Sequence, residues 1–135
     1  MIIIKKLFPM LVCILLLIGC GKKPMTNTPA ADLLVTPQKI LVTYGDGNKL
    51  TLTQKEIIEH IVTVLKNLNY EIINKPDSVG QNFTLEIERD LEYISTGFLK
   101  INNTYYKAKE SSKILELDQY IVSLGKNKIP GLLGS

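Results

Sequence analysis

Residues 83–108, FTLEIERDLEYISTGFLKINNTYYKA, contain the most regular alternation in the chain and decide its fold class. In 83–88 apolar side chains at odd positions alternate with polar ones at even positions, which predicts a strand with one buried face. The polar pair Arg89-Asp90 precedes a second predicted strand at 91–95. Residues 98–101 and 104–108 flank Asn102-Asn103, which predicts a hairpin whose asparagines supply the positive φ values of a type I′ turn.

The segments before this region add a hairpin and a helix. Residues 38–44 alternate, the turn-forming residues GDGN follow at 45–48, and 49–52 resumes the strand pattern, so 38–52 predicts a β-hairpin. Thr53 and Glu56 have the spacing of a capping box, and apolar residues then recur at helical spacing. We therefore predict a helix over 54–67, a short extended return over 70–73 and a loop over 74–82.

The segment after this region predicts a final helix. Ser111 or Ser112 is suited to cap it, and its apolar stripe is Ile114, Leu117, Ile121 and Leu124. Gly125 fits the C′ position that ends many helices. The tail 126–135 is either a docked extended segment or a frayed end. Together these elements predict an α+β fold in the order ββαββββα, with an antiparallel sheet of about five or six strands and two helices packed on one face.

The N-terminal segment has the composition of an export signal. Lys5 and Lys6 form a positive region, and Leu7 to Ile18 is an apolar run interrupted by Pro9. Such a run matches the core of a signal peptide and is shorter than the roughly 20 residues that span a bilayer. It ends in Leu17-Ile18-Gly19-Cys20.

This arrangement of residues 1–20 resembles the lipobox signal peptide of bacterial lipoproteins. The resemblance implies that Leu17, Ile18 and Gly19 are recognised by signal peptidase II, which cuts before Cys20. It also implies a diacylglyceryl group on the Cys20 thiol and an acyl chain such as palmitate on the new amine. The lipid bilayer would be the partner of Cys20, on the extracytoplasmic face of the cell membrane in a Gram-positive bacterium or on the outer membrane in a Gram-negative one. A plain secretory signal, or an uncleaved anchor, is the alternative.

Three regions follow from this interpretation. Residues 1–19 are a cleaved signal peptide, 20–36 are a lipid-anchored flexible tether, and 37–135 are a single small α+β domain. Lys5 and Lys6 leave with the signal, so 14 basic and 13 acidic side chains remain, and no basic stripe predicts nucleic-acid binding. Cys13 also leaves, so the domain has no disulfide.

Few residues are candidates for chemistry. His60 is the one histidine of the chain, and no second histidine or further cysteine is available to form a metal site with it. We predict no cofactor, no metal and no catalytic residue. Glu86 and Glu88 share a strand face, where they form either a solvated surface or a carboxylate pair. Tyr105 and Tyr106 point to opposite faces of their strand, and the exposed one of the two is a candidate ligand contact.

Several functions remain open on the sequence. The first is a non-enzymatic domain that binds an envelope protein or peptide. One form of it is an immunity lipoprotein against a membrane-active peptide, because small tethered β-rich domains are similar in layout to lantibiotic immunity proteins. A small cell-envelope hydrolase that uses the strand carboxylates is the second, and a passive spacer is the third. A concave pocket that holds two close carboxylates with raised pKa values would favour the hydrolase, whereas a flat, convex acidic face would exclude it.

Overall fold

The computed structural model describes residues 29–77 and 81–134. The helices are α1 (Pro29–Leu33), α2 (Lys55–Lys66) and α3 (Ser111–Lys128), and a short 3₁₀ turn follows at Leu132–Gly134. The strands are β1 (Ile40–Tyr44), β2 (Lys49–Leu52), β3 (Tyr70–Ile73), β4 (Phe83–Glu88), β5 (Leu91–Ile94), β6 (Phe98–Ile101) and β7 (Thr104–Ala108).

All seven strands form one sheet in the order β2-β1-β4-β5-β6-β7-β3, and each neighbouring pair is antiparallel. The predicted α+β class and antiparallel sheet are confirmed. The predicted count of five or six strands and the order ββαββββα are wrong, because residues 70–73 are a full strand. Tyr70 pairs with Ala108, so the extended return is the edge strand beside β7. The described residues also contain a third helix, α1, that the sequence pattern did not predict.

One apolar core lies between the sheet and the helices. Alternate strand residues, such as Val42, Leu85 and Leu99, belong to a single cluster with the inner sides of α2 and α3. The buried helical positions are Ile58, Ile61, Val62 and Leu65 in α2 and Ile114, Leu117, Asp118, Ile121 and Gly125 in α3. Since each fully buried aliphatic side chain contributes about 1.5–3 kcal/mol, this layer supplies most of the driving force for folding.

Buried tyrosines fix the helices on the sheet. The hydroxyl of Tyr44 donates to the carbonyl of Ile121 at 2.9 Å, and that of Tyr70 donates to the carbonyl of Leu65 at 2.7 Å. A hydroxyl buried without a partner would cost about 1–3 kcal/mol, so these bonds select the position of each helix.

The N-termini of α2 and α3 are not capped by the side chains that the sequence predicts. Gln54 is the N-cap of α2 and makes no side-chain cap bond, so the predicted capping box of Thr53 and Glu56 is wrong. The N-cap of α3 is Glu110, whereas Ser111 is already helical. The carboxylate of Glu110 instead accepts hydrogen bonds from the backbone N–H of Asn69 at 3.0 Å and from its side-chain amide at 2.5 Å. This contact joins the start of α3 to the start of β3.

The end of α3 corrects the interpretation of Gly125. The helix continues past this residue to Lys128. A Cβ at position 125 would lie 2.4 Å from the Leu132 Cδ2 atom and 2.4 Å from the Tyr44 hydroxyl. Glycine is therefore present because two other elements approach the helix closely. Leu132 is fully buried, and the N–H of Leu133 donates to Asp46 at 2.8 Å, so the tail is docked.

Two other predictions need correction. The turn at 102–103 has the predicted position, but only Asn102 of the two asparagines has a positive φ, at +54°, so it is not type I′. The stretch predicted as a tether contains α1, and both Ala30 and Leu34 are buried in the core. The folded part therefore includes residues 30–36, which we assigned to the tether. The predicted signal, Cys20 and the first part of the tether lie outside the described residues.

Candidate binding surface

The side of the sheet away from the core carries no helix among the described residues, and we call it the helix-free face. The strand register arranges its side chains in two rows that each cross all seven strands. The first row is Thr51, Leu41, Glu86, Glu92, Lys100, Tyr105 and Ile73. The second row is Lys49, Thr43, Thr84, Ile94, Phe98, Lys107 and Glu71.

Partly buried apolar side chains form part of this face. Five of its residues are aliphatic or aromatic, and none of them belongs to the core cluster. They are Leu41, Ile73, Ile94, Phe98 and Tyr105. Ile94 is only 8% exposed, so its neighbours on the helix-free face cover it. An apolar patch flanked by charges is a common property of binding surfaces.

Two lysines lie over the aromatic rings of the patch. The Nζ atom of Lys107 is 4.3 Å from the centroid of Phe98, and that of Lys100 is 5.8 Å from the centroid of Tyr105. Lys107 also donates a hydrogen bond to the carbonyl of Thr96. Cation–π contacts at exposed sites contribute about 0.5–1 kcal/mol. The lysines therefore hold both rings in defined positions while leaving their outer edges accessible.

The β5–β6 turn is held from both sides of the sheet. Thr96 has a φ of +75°, which costs a residue with a Cβ about 1–2 kcal/mol. Its N–H donates to the Asp118 carboxylate at 2.7 Å, and that carboxylate also accepts the Tyr93 hydroxyl at 2.8 Å. Burial raises the pKa of Asp118, against the opposing effects of these hydrogen bonds and of the Lys107 charge. Helix α3 thus fixes the turn that positions Lys107 over Phe98.

A depression of about 810 Å³ lies at the β1–β2–β4 end of the helix-free face. Its lining includes apolar, hydroxyl and charged side chains of both signs. It is formed by Pro37, Gln38, Lys39, Leu41, Thr51, Thr53, Glu86, Ile87, Glu88 and Arg89. Both predicted carboxylates, Glu86 and Glu88, thus line this depression.

A bulge separates the two carboxylates within β4. Glu86 pairs with Glu92, whereas Glu88 pairs with Leu91 after a shift of register. Like charges in directly opposite positions destabilise a sheet. The Glu86–Glu92 pair is therefore unfavourable by itself, and Lys100, which pairs with Glu92 on its other side, offsets it in part.

The two candidate tyrosines have different environments, as their positions predict. Tyr106 faces inward and is part of the core cluster, so it packs the interior and is not accessible to a ligand. Tyr105 is half-buried on the helix-free face, with Lys100 beside its ring. Tyr105 is therefore the member of the pair that belongs to the candidate surface.

His60 lies on the opposite side of the molecule. Its ring packs edge-on against Tyr120 with centroids 4.8 Å apart, and it lines a small groove of about 250 Å³ between α2 and α3. Within residues 29–77 and 81–134, no group of three histidine, cysteine or acidic residues is placed to hold a metal ion. His60 is thus an exposed packing residue in this structure.

The sequence missed half of the candidate surface. Ile94, Phe98, Lys100 and Lys107 were placed on strands without a role. Their alternation with the buried residues Tyr93, Leu99 and Tyr106 places them on the face opposite the core. Their alignment in rows depends on strand order, which no local pattern indicates.

No known protein family, curated protein or solved structure matches the chain. In the part of the chain that the structure describes, no helix has the length and apolar character needed to cross a bilayer.

Proposed function

We propose that this protein is a lipid-anchored, extracytoplasmic binding protein without enzymatic activity. Cys20 attaches it to the cell membrane, and the helix-free face of its sheet binds a polypeptide ligand. The anchor is supported by the signal-like segment 1–19 followed by Leu17-Ile18-Gly19-Cys20. The ligand site rests on one observation: the depression beside Leu41 combines an apolar wall with charges of both signs.

A polypeptide suits this surface better than a small metabolite. The two rows extend across seven strands and contain apolar, acidic and basic side chains. These side chains are spread over an open surface and do not surround one enclosed pocket. Ligand sites for small molecules are usually enclosed and mostly apolar. The open surface instead offers Tyr105 and Phe98 as rigid contacts and lets charges select the ligand.

The anchor is tested by replacing its cysteine. Cells that express the full chain are labelled with an alkyne analogue of palmitate, and membrane fractions are examined by mass spectrometry. Cys20→Ala should lose the label and accumulate unprocessed or enter the medium. Cys13→Ala is the matched control, because it removes the other cysteine within the predicted signal. An unmodified polypeptide that still begins at Met1 in the wild type would refute the proposal.

A membrane-active peptide with lysine side chains is the ligand class that we propose, because such side chains could pair with the acidic residues of this mixed-charge surface. Glu86 and Glu92 face each other with like charge, and Glu88 lies in the same depression as Glu86. This is the immunity-type form of the proposed function. A fluorescently labelled lysine-rich amphipathic peptide serves as the probe, and its Kd is measured by anisotropy.

Variants that remove a negative charge test whether the ligand is cationic. Since an exposed ion pair is worth about 0.2–1 kcal/mol, Glu86→Gln and Glu92→Gln should each weaken binding by up to about fivefold. Glu59→Gln, on the exposed side of α2, is the matched control and should leave the Kd unchanged. Equal Kd values for all three variants and the wild type would refute the cationic ligand.

A small envelope hydrolase is the second candidate, because the depression contains the two carboxylates Glu86 and Glu88. Paired carboxylates serve as general acid and base in glycoside hydrolysis. Incubation of the protein with peptidoglycan fragments tests this reading. Release of reducing ends that Glu86→Gln and Glu88→Gln each abolish would replace the binding proposal with the hydrolase.

A further inference from the structure

Exposed apolar side chains cluster at the start of the described chain. Leu33 and Val35 are 51% and 52% exposed. The described residues contain four large hydrophobic side chains with such exposure, and the other two, Ile72 and Leu115, lie far from these along the chain. Half of this set therefore falls within three residues, at the C-terminal end of α1.

Leu33 and Val35 belong to a segment that packs into the core through other side chains. Ala30 is fully buried and Leu34 is nearly so, and both belong to the core cluster. Helix α1 packs against α2, and the N–H of Leu34 donates to the carbonyl of Ala31 at 3.3 Å. Because Leu34 points into the core, its neighbours Leu33 and Val35 are held outward in fixed positions.

The distance to the predicted anchor is short. Nine Cα–Cα steps separate Cys20 from Pro29, and they extend to about 31 Å at most. A lipid on Cys20 would therefore keep the start of α1, and with it Leu33 and Val35, on a short connection to the membrane.

We propose that Leu33 and Val35 form a membrane-contact site that inserts into the interfacial layer of the bilayer and fixes the orientation of the domain. This inference rests on the lipidation of Cys20 in the proposed function. An apolar contact beside a lipid anchor provides a second membrane signal, and two signals bind more stably than one. Asp32, which is exposed on α1, keeps its carboxylate in water and so limits the contact to a shallow depth.

The test uses the absence of tryptophan from the chain. Leu33→Trp and Val35→Trp each introduce a single reporter at a half-exposed position that tolerates a larger side chain. Leu115→Trp, on the outer side of α3, is the matched control for an exposed apolar residue remote from the anchor. The full-length proteins are purified with their lipid and reconstituted into phosphatidylcholine–phosphatidylglycerol vesicles, with or without brominated acyl chains.

We expect blue-shifted emission and strong quenching by brominated chains for Leu33→Trp and Val35→Trp, and neither change for Leu115→Trp. If all three reporters are quenched equally little while the proteins float with the vesicles, the membrane contact is refuted and the anchor stands. If the wild type does not float with vesicles, the anchor fails and the contact fails with it. A blue shift that depends on protein concentration without vesicles would assign the site to a second copy of the chain and overturn the inference.

Discussion

Gly125→Ala tests how closely α3, the tail and the sheet approach one another. Alanine is a better helix former than glycine by about 1 kcal/mol, so the change would stabilise an exposed position of α3. At position 125 the new methyl group would lie 2.4 Å from the Leu132 side chain and 2.4 Å from the Tyr44 hydroxyl. Both neighbours are buried, so neither can move aside without disturbing the core.

The unfavourable contacts outweigh the gain in helix propensity, so the substitution should lower the stability. Overpacking a buried site costs typically about 1–3 kcal/mol. Displacing Tyr44 would also break its hydrogen bond to Ile121, which contributes about 1 kcal/mol. After the gain in helix propensity is subtracted, Gly125→Ala should lower the free energy of unfolding by about 1–3 kcal/mol. For a domain of this size that corresponds to a decrease in Tm of roughly 4–20 °C.

Urea unfolding followed by circular dichroism measures this change. Asn127→Ala, at an exposed position of the same helix, is the control for helix propensity and should be neutral or slightly stabilising. Leu132→Ala removes one of the clashing groups, so Gly125→Ala combined with Leu132→Ala should cost less than the sum of the two single changes. If Gly125→Ala is as stable as the wild type, the close approach is not as described and the reasoning fails.

Three further changes probe the polar contacts. Burial raises the pKa of Asp118, so its ionisation in the folded protein lowers the free energy of unfolding as pH rises from about 4 through the folded-state pKa. Asp118→Asn should lack this decrease. Equal slopes of unfolding free energy against pH for the wild type and the variant would contradict the prediction. The hydrogen bond from the Leu133 N–H is the main cause that lowers the pKa of Asp46. The ionised carboxylate therefore stabilises the fold above about pH 4, and this stabilisation is lost as pH falls through the depressed pKa. Asp46→Ala should accelerate hydrogen exchange at Leu133 at neutral pH, and unchanged protection there would show that the tail docks without it. Lys107→Met should destabilise the domain by at least about 0.5–1 kcal/mol, because it removes both the contact with Phe98 and the hydrogen bond to Thr96. A neutral result in urea unfolding would show that neither contact of Lys107 stabilises the fold.

Local patterns predicted the strands that form hairpins. In residues 83–108 the alternation and the two-residue connection at 102–103 specify both the faces and the pairing of neighbours. Strand β3 has only four residues, and Ile72 on its inward-facing side is exposed at the sheet edge. Its pairing with β7 joins residues far apart in the chain, so its identity as a strand depends on tertiary structure.

Helix α3 shows the same division between local and distant causes. Asp118 lies on the same helical stripe as Leu117 and Ile121 and is buried with them, although we did not predict its burial from the sequence. Its partner Tyr93 lies 25 residues away in the chain, and no local pattern indicates that contact. Gly125 misled the prediction for the same reason, since a small residue that admits Tyr44 has the same sequence signal as one that ends a helix.

The candidate surface was predictable only in part. Period-two spacing placed Glu86 on the face opposite the core and showed that Tyr105 and Tyr106 point in opposite directions. Which tyrosine faces inward depends on the register of β7 with β6 and β3. The opposition of Glu86 and Glu92, the bulge that follows and the depression all depend on how β4 pairs with its neighbours, which the sequence does not specify.

The end of the sheet that carries the depression is also the end at which β1 follows α1. Pro37 lies four residues after α1 and lines the depression, and β1 then begins at Ile40 on the same side. If Cys20 carries the lipid and Leu33 contacts the bilayer, a ligand in the depression is held beside the membrane surface. A site in that position meets ligands that are concentrated at the bilayer far more often than ligands free in solution. On these proposals, we expect the lysine-rich probe to bind the vesicle-bound protein more strongly than it binds Cys20→Ala in solution.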